Sequence, residues 1–68
     1  MSAEQVERLA EQTAVLTTAL DAVARHGYVE AQGRRASADA VTAIDALLRE
    51  LHRLRAELVA ERVRTRPV

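Results

Sequence analysis

The chain has 68 residues, 49% of them hydrophobic and 29% charged, and its ten basic side chains balance ten acidic ones. That length makes one small domain, and the zero formal charge supplies no global field to draw in nucleic acid or a membrane surface. Without cysteine there is no disulfide and no thiolate metal site, so a domain this small is left with assembly as its staple.

The first predicted helix covers about residues 3–26, loosely to 32. Ser2 caps it, with Gln5 three residues on as the capping-box partner, and Glu4 and Glu7 suit the positive end of the helix dipole. Val6, Leu9, Thr13, Leu16, Leu20 and Val23 alternate three- and four-residue steps, which sets them in one seam along one helix face. Ala3, Ala10 and Ala24 flank that seam, and alanine lets helix axes come close. Arg25-His26-Gly27 is a good terminus, with cations in the last turn and then a glycine. Gln32-Gly33 is an equally plausible one.

The connection is expected at about 27–36. It gathers Arg25, His26, Tyr28, Arg34 and Arg35 at one end of the molecule. These residues form a candidate tip for docking an anion or an acidic partner, and equally an ordinary solvated turn. Arg34-Arg35-Ala36-Ser37 resembles the pattern read by basophilic kinases, but Ser37 is also explained as the cap of the second helix, with Asp39 in its first turn.

The second helix is expected over about 38–64, uninterrupted until Pro67, with Thr65 to Val68 frayed. It carries Val41, Ile44, Leu47, Leu48, Leu51, Leu54 and Leu58, a stripe about 140° wide and wider than one helix neighbour needs. Leu47 and Leu54 lie on one flank, Val41, Leu48 and Val59 on the other, so one flank can face the first helix while the other faces something else.

Two helices read as equally long, with a short link, favour antiparallel packing. Charge agrees: acids prevail over residues 1–30 and arginines over 49–68. Asp21/Arg25 and Asp45/Arg49 stand at supportive i, i+4 spacing. Arg55 and Arg62 intrude on the second stripe. Either they meet Glu11 or Thr13 and Glu4 or Glu7, respectively, or they lay their stems on the core and extend their heads into water.

These readings lead to an all-α fold, an antiparallel two-helix hairpin that dimerises into a four-helix bundle. The twelve stripe residues named above other than Thr13 and Val59 form the expected self-association core. A strip of Val15, Ala19, Ala22, His26 and Val29 on the first helix is a candidate groove for a partner helix, or merely scattered surface alanine. No catalytic constellation, metal site or cofactor is expected; His26 and His52 are read as tip and boundary residues. No apolar run approaches the roughly 20 residues of a membrane span, and no secretory signal is evident, so a cytoplasmic location is expected. An all-arginine basic set with abundant alanine suggests a GC-rich bacterial genome.

The expected function is non-enzymatic protein–protein interaction, as a small adaptor or regulator. The partner is a second copy or a helical segment of another protein. The hairpin plan also resembles ROP-type helical hairpins, which control plasmid copy number and dimerise into four-helix bundles. That likeness is architectural, with no shared motif. It implies an alternative in nucleic-acid binding, through an outer face bearing Arg49, His52, Arg53 and Arg64. One aromatic residue, no lysine and a neutral balance supply that alternative poorly.

Overall fold

The computed structural model describes residues 1–65. It contains two helices, α1 (Ala3–His26) and α2 (Ala31–Arg64), packed against each other, and no strand among the described residues. The expected fraying of Thr65 to Val68 falls largely outside those residues.

α1 begins as the sequence predicts. The Ser2 side chain accepts from the Gln5 backbone N–H at 3.2 Å, and the Gln5 side chain accepts from the Ser2 backbone N–H at 2.7 Å. This reciprocal box satisfies two donors that a helix start leaves orphaned. α1 ends at the earlier of the two candidate termini. Gly27 adopts a positive φ of 75° and its N–H donates to the Val23 carbonyl at 2.8 Å. Glycine reaches that region without the Cβ clash that other residues meet.

The second helix departs from expectation. It starts at Ala31, with Glu30 as N-cap, so Gly33, Arg34, Arg35 and Ser37 all lie inside α2. The link shrinks to Gly27–Glu30, and α2 spans 34 residues against 24 in α1. Ser37 therefore caps nothing. Gly33 is no terminus: a Cβ there would overlap the carbonyl oxygen of Gly27. The backbone of α2 passes so close to the end of α1 that only hydrogen fits between them.

That close approach sets the seam. The less exposed residues of α1 are Gln5, Leu9, Gln12, Leu16, Ala19, Val23 and His26, with Ala22 beside them. Those of α2 are Gly33, Ala36, Ala40, Ala43, Leu47, Glu50, Leu54 and Glu57, with Ser37 and Ala46 beside them. Both series alternate steps of three and four, the period of helices packed at a shallow angle. Near the tip the seam holds Gly33, Ala36, Ala40, Ala43 and Ala19, all buried. Toward the open end leucines alternate with Gln5, Gln12, Glu50 and Glu57. There Gln5 Nε2 donates to Glu57 Oε1 at 3.5 Å, and the Met1 amino group lies 3.5 Å from Glu57 Oε2.

Two earlier readings of α1 change. The strip of Val15, Ala19, Ala22, His26 and Val29 divides: Ala19, Ala22 and His26 are the less exposed members and turn toward α2, whereas Val15 and Val29 are exposed, and Val15 and Ala19 line a shallow groove between the helices. Ala3, Ala10 and Ala24, proposed to admit a close neighbour, are exposed. The alanines that admit one are Ala19 and the three on α2.

Candidate functional site

Because the seam uses alanine and polar residues, the bulkier stripe is left outside it. Leu47 is 8% exposed and its neighbour Leu48 is 49% exposed. Leu54 is buried with Leu47, whereas Val41, Ile44, Leu51, Leu58 and Val59 stand exposed with Leu48. On α1, Leu9, Leu16 and Val23 are half-buried at the seam's edge, while Val6 and Leu20 are exposed.

Apart from Val59, which points to the outer side of α2, these exposed residues share one side of the molecule. On each helix they sit one residue after a seam position: Val6 after Gln5 and Leu20 after Ala19, Val41 after Ala40, Ile44 after Ala43, Leu48 after Leu47 and Leu51 after Glu50. One residue is a turn of about 100°. The helices run in opposite directions, so the same step rotates them with opposite sense about a common view axis. Starting from seams that face each other, both arrive on the same side. Val6, Thr13 and Leu20 of α1 therefore lie beside Val41, Ile44, Leu48, Leu51 and Leu58 of α2. Thr13 does not break this apolar surface, because its hydroxyl donates to the Leu9 carbonyl at 2.7 Å.

The opposite side is different in kind. It carries a shallow groove of 660 Å³ lined by Glu11, Val15, Thr18, Asp39, Thr42 and Ala46, among others. Its exposed lining is mostly apolar, but it comes from alanines, threonine methyls and Val15, with no leucine or isoleucine among them.

Two long helices packed side by side give an elongated shape and a large surface. The molecule measures 58 × 18 × 14 Å, with a radius of gyration of 16.3 Å. A compact domain of this length has about 11 Å. The chain exposes 5621 Å², whereas size scaling gives about 4,200 Å² for a compact monomer of 7.5 kDa. Among the described residues no large side chain is completely buried.

The charged residues fall out as follows. Asp21 pairs with Arg25 at 3.0 Å, as their spacing suggests, whereas Asp45 and Arg49 form no ion pair among the described residues. Arg55 and Arg62 meet none of Glu4, Glu7, Glu11 or Thr13 among the described residues. Each lies one step beyond a seam position, on the stripe side. At the tip, Arg25 is engaged with Asp21, Tyr28 is exposed, and Arg34 and Arg35 stand exposed near the start of α2. The tip residues do not converge on a shared point. His26 has an acid at i+4 that the sequence reading passed over: Glu30 Oε2 lies 3.8 Å from its Nδ1. No group of three or more His, Asp or Glu positioned to hold a metal occurs among the described residues. Among the candidate nucleic-acid contacts of α2, Arg53 pairs with the buried seam residue Glu50 and Arg64 with Glu61, which engages two of the four with acids. Among the described residues no helix is long and apolar enough to cross a membrane.

No protein-family model, curated protein or solved structure matches the chain.

Proposed function

We propose that this chain is a non-enzymatic protein–protein interaction module, an adaptor or regulator whose folding is coupled to assembly through the face bearing Val41, Ile44, Leu48, Leu51 and Leu58. The observation that carries this reading is the placement of those residues. They line one side of a hairpin whose own seam leaves them about half exposed. Fully burying a leucine contributes about 1.5–3 kcal/mol and covering a half-exposed one about half of that, so the several on two partners together offset an association cost of about 4 kcal/mol or more. A hairpin with no completely buried large side chain among its described residues gains much of its stability from whatever covers that face.

The test places one charge on each side. Leu51→Asp is expected to dissociate the assembly and lower helicity together, while Thr42→Glu on the opposite side leaves both unchanged. Sedimentation equilibrium and circular dichroism read the two quantities. A Leu51→Asp chain that stays helical and assembled would overturn the reading.

A further inference from the structure

The apolar stripe reads nearly the same in both directions. On α2 it runs Val41, Ile44, Leu48, Leu51, Arg55, Leu58, with its midpoint between Arg49 and Glu50. On α1 it runs Val6, Leu9, Thr13, Leu16, Leu20, Val23, with its midpoint between Ala14 and Val15. The Gln5–Glu57 hydrogen bond fixes the register between the helices. Stepping equally along both from that pair sets the α2 midpoint level with Gln12 and Thr13, about 3 Å along the axis from the α1 midpoint. Both stripes are therefore centred at nearly one height, and a single two-fold axis crossing the helices there maps each stripe onto itself.

We propose, resting on the interaction-module reading above, that the occupant of this face is a second copy of the chain, flipped end for end. In this arrangement α2 packs antiparallel along α2 of the partner, and α1 along α1, with the two tips at opposite ends of a four-helix bundle. Leu48 faces the partner's Leu51, and Val41 faces the partner's Leu58.

Area supports a second copy as occupant. Each chain exposes about 1,400 Å² more than a compact monomer of its mass. Burial of that excess on both copies would remove about 2,800 Å², within the range of obligate dimers.

Charge selects the flipped orientation. The alternative two-fold axis runs along the helices and puts both open ends together. Arg55 and Arg62 of both chains would then crowd one end, four cations against a single edge acid, Glu7, from each chain, whereas the flipped arrangement separates them to opposite ends. In the flipped arrangement Arg55 lies across from the partner's Ile44, next to the partner's Asp45. His52 flanks the same edge, so that carboxylate sits between two basic side chains. Asp45 forms no ion pair with Arg49 among the described residues, which leaves its carboxylate available.

The chain has no cysteine, so single introduced thiols report the geometry without background. An equimolar mixture of Val41→Cys and Leu58→Cys chains, oxidised in a glutathione buffer, is expected to give the mixed disulfide as its main product by mass. Val41→Cys alone should give little homodimer, because its two thiols lie about 25 Å apart along the axis. Two results would overturn the proposal. One is efficient homodisulfide formation by Val41→Cys. The other is a mixed disulfide between Val41→Cys and Leu20→Cys, which requires both tips at one end. If none of these disulfides forms while sedimentation shows wild-type and variant chains as dimers, the flipped register is wrong and the interaction reading stands. If every chain is monomeric and helical, both fail.

Discussion

The carbonyl oxygen of Gly27 occupies the space in which a side chain on Gly33 would begin. One glycine thus turns the chain through a positive φ, and the other lets the returning helix pass over that turn. Gly33→Ala forces two backbones apart and should destabilise the hairpin by about 2 kcal/mol or more, as overpacking does. Gly27→Ala has open space around its Cβ but must hold a positive φ with an extended ψ, a region essentially reserved for glycine, at a cost of about 1–3 kcal/mol. Urea unfolding at fixed protein concentration should rank Gly33→Ala as the more damaging. The reverse order would show that the helices are not held this close at the tip.

The Ser2–Gln5 box anchors the free end of α1. Ser2→Ala should lower stability by about 1 kcal/mol, and Ser2→Asp should restore most of it, because aspartate caps comparably and favours the dipole. Thermal unfolding of the three chains checks this. The loss should be confined to α1, with amide exchange quickening over residues 3–7 and unchanged in the middle of α2.

How much of this was legible in the sequence depends on which question a residue answers. Ser2, Gln5, Gly27 and the Asp21/Arg25 pair act locally, and local chemistry was enough to read them. The start of α2 was not readable in that way. Gly33 looks like a helix breaker until its position against Gly27 is known, and Ser37 has the chemistry of a cap wherever it stands. The seam was missed for a related reason. Hydrophobic periodicity identifies the most apolar face of a helix, not which neighbour covers it. Ala36, Ala40 and Ala43 contribute little apolar area, yet they allow an approach that Val41 and Leu48 would block. The division of the α2 stripe into two flanks was visible, and Leu47 and Leu54 do turn toward α1.

Polar residues inside the seam should be replaceable with a gain. Glu50 is buried, and one of its carboxylate oxygens, like the Gln12 amide oxygen at the same level, has no hydrogen-bond partner. A buried polar atom left unpaired costs about 1–3 kcal/mol. Gln12→Leu together with Glu50→Leu should therefore raise the urea midpoint, by about 2 kcal/mol in stability. A lower midpoint would mean that the two side chains are satisfied by each other or by water in solution.

Asp45 and Arg55 supply a charge test of orientation. Asp45→Arg should weaken self-association by about tenfold, since it sets like charges at the interface edge. Arg55→Asp alone should also weaken it, by setting an acid against the partner's Asp45. The double exchange should recover most of the loss. Sedimentation equilibrium of the four chains closes the cycle, and strictly additive losses would remove Asp45 and Arg55 from any shared contact.

The most direct measurement is absolute mass in solution across a dilution series, with helicity followed on the same samples. The account predicts a species of twice 7.5 kDa that dissociates on dilution, with helicity falling as it does so. A monomer that keeps its full helicity at every concentration would contradict it, because the leucine face would then be stable while facing water.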